Sequence, residues 1–467
     1  MGIADLRKIQ IGRESSAGST TAATEKFIGS LSIEETLGLH RPKDERGSLA
    51  GEFRTVLVKE AVDMALEADL TFEQVMWLLM MGVEGNWYAD SANPSFAKHD
   101  DDGVFTDLTN AIDGSSATSV TIVGLVAAAD SIKVCAAAAF RGIRVDIGST
   151  VQAVAATVTV TCSDGSAGWL ACTLVNDGTL AGGASMAQDG VIEFTPHASW
   201  ASEAIDGNTG FWIRLVWSAN WTANVKINDL YTIPLACVWT YEPSLTSANT
   251  PQSTTIEYGD DVQEHESEYC VASGLEFSGA MDDVCKMKAT IFGRNMAAGS
   301  FTGSLSDPST LETAVANKTI LSVDVIGGTV GTTPVSNSLI DFNIKIDGGF
   351  LPVKHGGSTL YFDAVSEQAK KVTTDLTLVF NTAVEAQRVL YKAGTQQLFQ
   401  IKSTGSLIAG TTYKTFLVNF AGVYTKFKTH EEANGETIAK ISIESQYDST
   451  WAKLFQIVVT NTIAALE

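Results

Sequence analysis

The sequence predicts a mainly β protein, made of a host region with a duplicated strand–helix unit and of an inserted β-sandwich. Three observations support this prediction. Short segments of alternating polarity recur along a chain with only nine prolines. One 21-residue segment occurs twice, and the density of charged residues falls sharply within residues 108–236. At 467 residues the chain is also long enough for more than one domain.

The repeated segment reads VDMALEADLTFEQVMWLLMMG at 62–82 and TDLTLVFNTAVEAQRVLYKAG at 374–394, with no gap between the copies. Alternation at the start of each copy predicts a strand with one buried face. Its polar face would carry Asp63 and Glu67 in the first copy and Asp375 in the second. A helix is expected to follow each strand.

Capping signals mark the ends of both expected helices. Two capping boxes are predicted at the starts and two left-handed glycine caps at the ends: Thr71-x-x-Gln74, Thr382-x-x-Glu385, Gly82 and Gly394. The first helix is apolar on most sides, so it must be buried inside its own domain or against another subunit. Its candidate subunit-interface residues are Phe72, Val75, Met76, Trp77, Leu79 and Met80.

Residues 108–236 hold 15 charged residues in 129, against 70 in the other 338, which indicates an independent module. Strand-like runs at 154–162, 190–196, 211–219 and 224–233 predict an antiparallel β-sandwich. Its tryptophans suggest either a sandwich core or a surface that stacks sugars. The candidate surface aromatics are Trp200, Trp212, Trp217 and Trp221.

Removing this module from the offset between the copies leaves a period of about 180 residues, the size of one small domain. The predicted division is therefore a discontinuous first host domain, the module and a second host domain. The corresponding ranges are 1–107 plus 237–300, 108–236, and 301–467.

Composition and motifs argue against several classes of function. A formal charge of −23 without a Lys/Arg cluster does not fit a nucleic-acid binder. Nucleotide-binding and hydrolase signatures are lacking, so we predict no enzyme activity, catalytic residue or cofactor. The segments HDDDG (99–103) and EHESEYC (264–270) lack metal-ligand spacing, and we expect a loop and a charged turn without metal. Scattered cysteines indicate free thiols in a chain folded in the cytosol, and no membrane span is expected.

The opening segment KIQIGRESSAGSTTAATEKFIG (8–29) resembles that of the tail tube (major tail) proteins of long-tailed phages. The matching positions are Gln10, Gly12, Glu14 and the small-residue run 15–23. The strand–helix unit at 62–82 and the segments 239–260 and 273–294 are similar to the same family. The resemblance covers residues 1–107 and 237–467, and the module at 108–236 departs from it.

The resemblance implies two tail-tube β-sandwich or barrel domains, each flanked by an α-helix, and an immunoglobulin-like or jelly-roll decoration. It implies a virion structural protein of a non-contractile (siphophage-type) tail, assembled in the host cytoplasm. Three chains would form a pseudo-hexameric ring, and rings would stack into a tube that conducts DNA without binding it specifically. Partners would be the tape measure, tail tip and terminator proteins, and Asp63, Glu67 and Asp375 would face the lumen.

Two other functions remain open on sequence alone. An adhesin-like surface protein would bind host glycans through the tryptophans of the module. A hydrolase would need paired carboxylates for acid–base chemistry, for which the sequence has no recognisable motif.

Overall fold

The structure is a computed structural model that describes residues 4–42, 46, 52, 54–308, 310–357, 359–433 and 435–466. By its contacts the chain divides into two compact units. Unit 1 contains Met1–Trp87, Trp239–Asn461 and Leu466–Glu467, and unit 2 contains Tyr88–Val238 and Thr462–Ala465. The division of the host region into two tail-tube domains at residues 300/301 remains a prediction.

The strands up to the end of the module are β1 (Lys8–Arg13), β2 (Glu25–Lys26), β3 (Ser30–His40), β4 (Val56–Asp69), β5 (Phe96–Asp101), β6 (Val104–Asp107), β7 (Val120–Ile122), β8 (Ser131–Ala136), β9 (Phe140–Ile147), β10 (Val158–Ser163), β11 (Trp169–Ala171), β12 (Thr173–Asp177), β13 (Gly190–Thr195), β14 (Glu203–Ile205), β15 (Asn208–Trp217) and β16 (Val225–Pro234). Helix α1 (Val75–Gly82) follows β4.

The remaining strands are β17 (Cys237–Tyr241), β18 (Thr254–Gly259), β19 (Glu264–Ala280), β20 (Lys286–Gly293), β21 (Ala297–Ala298), β22 (Thr319–Val325), β23 (Leu339–Asp347), β24 (Phe350–Val353), β25 (Ala364–Glu367), β26 (Lys371–Val379), β27 (Gln397–Ala409), β28 (Thr412–Ala433), β29 (Glu436–Ser445) and β30 (Phe455–Asn461). Helix α2 (Thr382–Ala393) follows β26. Short 3₁₀ turns lie at Ala4–Leu6, Thr109–Ala111 and Ala316–Lys318.

Strands therefore dominate the described residues, which confirms the mainly β prediction. Both repeated segments form the expected strand and helix. In β4 the side chains of Val62, Met64 and Leu66 are buried while those of Asp63 and Glu67 are exposed, as period-two alternation requires.

The repeat extends well beyond the 21 residues visible in the sequence. In space, the strands of the first block lie in the order β1–β18–β19–β20–β4–β3. The second block has the order β22–β27–β28–β29–β26–β23, with the same chain succession and the helix at the same place. Strand β18 pairs only with the first half of β19, up to Cys270. The second half of β19 pairs with β23, and this pairing joins the two blocks.

The helix caps differ from the sequence prediction in three of four places. Helix α2 is capped by Asn381, whose side chain accepts hydrogen bonds from the amides of Ala383 and Val384, and not by Thr382. Gly394 takes the expected left-handed conformation, with φ of 62°. At α1, Thr71 accepts a hydrogen bond from the Gln74 amide, but the Gln74 side chain donates to the Lys26 carbonyl instead of closing a box.

Gly82 is the remaining difference, because its φ is not positive. A Cβ at this position would lie 3.1 Å from the Leu275 side chain, so glycine permits the close packing of α1 on β19.

Unit 2 consists of two antiparallel sheets whose side chains share one hydrophobic core. One sheet has the order β11–β10–β15–β8–β5–β6 with β14 beside β15, and the other has β12–β13–β9–β16–β7. The predicted strand runs coincide with β10, β13, β15 and β16. Its immunoglobulin-like or jelly-roll class remains a prediction.

Candidate functional site: the exposed face of an eight-stranded layer

Eight strands of unit 1 form a continuous layer in the order β3–β4–β20–β19–β23–β26–β29–β28. We call this the eight-stranded layer. One face is apolar, with buried residues such as Met64, Ile291, Ile344 and Ile441. Helix α1 packs against β19 and α2 packs against β28, so each block has a helix at the equivalent strand.

The opposite face is solvent-accessible and carries charges in rows. Glu67, Lys288, Glu276 and Lys345 lie directly opposite one another on four successive strands. Lys288 Nζ is 2.6 Å from Glu67 Oε1, and Lys345 Nζ is 3.9 Å from Glu276 Oε1. The hydrogen bond from Lys288 to Glu67 raises the pKa of this lysine.

The three predicted lumen-facing carboxylates all lie on this face. Asp63, Glu67 and Asp375 are exposed, and Asp375 accepts a 2.6 Å hydrogen bond from Ser442. The structure adds a feature that the net charge of −23 conceals, since lysines alternate with carboxylates here. Side chains on this face include the acids Asp63, Glu67, Asp69, Glu276, Asp347, Asp375 and Glu444 and the bases Lys286, Lys288, Lys345, Lys371, Lys426, Lys428 and Lys440.

The prediction of a subunit-interface helix is wrong for α1, because unit 1 itself buries the helix. The candidate residues Phe72, Val75, Met76, Trp77, Leu79 and Met80 are at most 1% exposed. Trp77 Nε1 donates to Glu25 Oε2 at 2.7 Å, and Asn461 donates to the Phe72 carbonyl at 2.7 Å. The helix is therefore buried within the chain itself, partly by Asn461, which the sequence assigns to the second host domain.

The prediction of surface aromatics in the module is also wrong. Trp212, Trp217 and Trp221 are buried, with 0%, 1% and 4% exposure. Trp200 is half-buried and packs edge-to-face on Phe140 with ring centroids 5.0 Å apart. Trp217 and Trp221 belong to the sandwich core and Trp200 packs against it, whereas Trp212 lies on the other face of its strand and is stacked on Phe96. This set therefore provides no flat, exposed platform for a sugar.

The acidic segment at 99–103 is a hairpin between β5 and β6, with its turn at Asp102 and Gly103. Asp100 binds Lys133 at 2.7 Å, so a lysine neutralises this carboxylate. The segment at 264–270, predicted as a turn, is the start of β19, where His265 stacks on Tyr258. Within the described residues, no three His, Cys, Asp or Glu side chains converge as metal ligands.

The family-like opening residues have clear structural roles. The Glu14 carboxylate is buried and accepts hydrogen bonds from the Gly18 amide at 2.8 Å and the Tyr269 amide at 2.7 Å. A Cβ on Gly12 would lie 2.5 Å from the Ala22 carbonyl oxygen, so this glycine lets the arm fold back along β1. Gln10 donates to the Thr302 carbonyl at 3.3 Å.

Neither described helix combines the length and the apolar character that crossing a membrane would require. Comparison of the chain with known protein families and with curated proteins gives no match.

Proposed function

We propose that this chain is a self-assembling wall subunit, the tail tube protein of a non-contractile phage. Three copies would close into a pseudo-hexameric ring, and stacked rings would enclose a channel for DNA. The observation that carries this proposal is the duplicated six-stranded block, joined within the chain by a strand pair. A chain that already contains two fused blocks needs only repetition of the same joint to continue the sheet.

The charged face supports the assignment of a lumen. A channel for DNA must not retain phosphates, and each lysine bound to a neighbouring carboxylate is neutralised locally. Screening over about 8 Å at physiological salt makes such local pairing decisive. Neutralisation by alternating charge, without uniform acidity, would then keep the lumen from retaining DNA.

Assembly is the direct test. Purified protein is examined by mass measurement in solution and by negative-stain microscopy over a wide concentration range, with and without a tail initiator complex. Three chains of 49.6 kDa each would give rings of about 150 kDa that stack into tubes. Persistent monomers, or rings of six chains, would contradict the proposal.

A further inference from the structure

Two edges of the eight-stranded layer have no strand partner among the described residues. Strand β3 pairs with β4 on one side only. Strand β28 pairs with β27 as far as Gly422, and beyond this point it has β29 on one side and no strand on the other. Unpaired edges of this length offer rows of backbone donors and acceptors to another chain.

The pairing of β19 with β23 inside the chain shows how two such edges can pair. Residues 274–280 of β19 pair antiparallel with residues 341–347 of β23. In the second block, β28 is the third strand and is therefore equivalent to β19 of the first block. In the first block, β3 is the sixth strand and is therefore equivalent to β23 of the second block. The two free edges are thus the counterparts of the two edges already joined.

Irregularities in the ladders fix the correspondence between residues. The β19–β20 ladder shifts register between Ala272 and Gly274, and the β28–β29 ladder shifts between Tyr424 and Lys426. Glu276 therefore corresponds to Lys428. Ile291 and Ile443 correspond in the same way, and they face Met64 and Thr374. The ladders thus place Met64 at the position of Thr374, two residues away from Leu376, with which the gap-free alignment of the two repeated segments pairs it.

Met64 and Thr374 in turn define which residues of β3 and β23 are equivalent. Met64 faces Ile33 of β3, and Thr374 faces Ile344 of β23. Ile33 therefore corresponds to Ile344, and Glu34 to Lys345.

We propose that the free edge of β28 pairs antiparallel with β3 of a second copy of this chain, with Lys428 opposite Glu34. This pair repeats the Glu276–Lys345 pair of the internal joint with the signs of the charges exchanged. The inference rests on the proposed ring for closure at three chains.

Burial and charge favour this occupant. Ile344 in the joined strand is fully buried, whereas its counterpart Ile33 in β3 remains half-exposed. Lys426 and Lys428 are exposed on the β28 edge, and Glu34 and Glu35 are exposed on β3. Opposite charges directly across a strand pair are favourable, and the two edges differ, so the contact runs head to tail.

Cross-linking tests the register. The variant Glu34→Cys/Lys428→Cys is treated with a short bismaleimide after assembly, and denaturing electrophoresis counts the linked chains. Glu276→Cys/Lys345→Cys is the matched control, which should link within one chain and stay at single-chain mass. Wild-type protein controls for the natural cysteines, which are buried except for the half-buried Cys172.

Linked species up to three chains support the proposal. Rings that form without linkage, while the control links, overturn the β28–β3 edge and leave the proposed function standing. Linked chains that never close into rings support the edge and overturn the function. Monomers without linkage overturn both.

Charge exchange gives a second, independent readout. Lys428→Glu or Glu34→Lys alone places like charges opposite each other and should raise the concentration for half-assembly at least about threefold. The double variant should restore part of the lost assembly, because it exchanges the charges of the pair and loses only the bond from Lys428 to Glu431 of the same strand. Additive defects in the double variant would rule out the direct pair.

Discussion

At the residue scale, Lys98 in unit 2 is a buried cation with 2% exposure. Its Nζ lies 2.6 Å from Asp107 and 2.7 Å from Asp206. Burial disfavours its charge, but the hydrogen bonds to these carboxylates outweigh burial, and the pKa of Lys98 is raised. The lysine thus joins the β5–β6 hairpin to the turn before β15.

This arrangement predicts an asymmetry between variants. Asp107→Asn/Asp206→Asn leaves the largely buried lysine without its partners and should lower the free energy of unfolding by about 1–2 kcal/mol, since both carboxylates are partly screened by solvent. Lys98→Met removes the charge from a site where its stem already packs and should cost less than about 1 kcal/mol. Urea denaturation checks both, and equal losses would contradict this account.

At the element scale, the N-terminus of α2 separates two capping assignments. Asn381→Ala should lower the free energy of unfolding by about 1 kcal/mol, because two first-turn amides lose their acceptor. Thr382→Ala is the matched control and should change stability little. A larger loss for the Thr382 variant would restore the sequence-based assignment.

The charged rows of the eight-stranded layer make a second prediction at this scale. Glu67→Gln/Glu276→Gln frees Lys288 and Lys345 from their partners, so the protein should begin to retain double-stranded DNA in gel-shift experiments at low salt. The control Lys288→Gln/Lys345→Gln removes the cations from the same row. DNA retention that is equal in both variants would rule out neutralisation by pairing.

These elements also show what sequence reasoning can reach. Alternation placed Asp63, Glu67 and Asp375 on the polar side of their strands, because side-chain period depends only on local geometry. The alternation in the sequence could not show what covers α1, because the residues that contact this helix, such as Glu25 and Asn461, come from distant parts of the chain. The tryptophans of the module were ambiguous for the same reason, as an alternating strand does not reveal whether a second sheet faces it.

The equivalence of the other strands in the two blocks is not visible in the sequence, because backbone pairing preserves the sheet with little restriction on residue type. Ile33 corresponds to Ile344, but Glu34 corresponds to Lys345. Only the positions of the bulges, which depend on the backbone, disclose these equivalences. The alternation of Lys and Glu between successive strands was present in the sequence, but it has no meaning until the register is known.

At the scale of the whole molecule, the chain enters and leaves the main segment of unit 2, Tyr88–Val238, at neighbouring residues of unit 1. Asn86 Nδ2 donates to the Thr240 carbonyl at 3.5 Å, so the chain leaves and re-enters unit 1 within one hydrogen bond. A variant in which a short Gly/Ser linker replaces residues 88–238 should fold cooperatively and form the same rings. Circular dichroism and mass measurement check this, and loss of folding would show that unit 1 depends on the module.

The module interrupts only the first of the two blocks, directly after α1, whereas α2 is followed at once by β27. In a ring of single-block subunits all positions are equivalent, so an inserted module would be present at every position. Fusion of two blocks breaks this equivalence, and a ring of three such chains would alternate decorated and bare positions every 60°. In such a ring every block with a module would have neighbours without one, so no two modules would be carried by adjacent blocks.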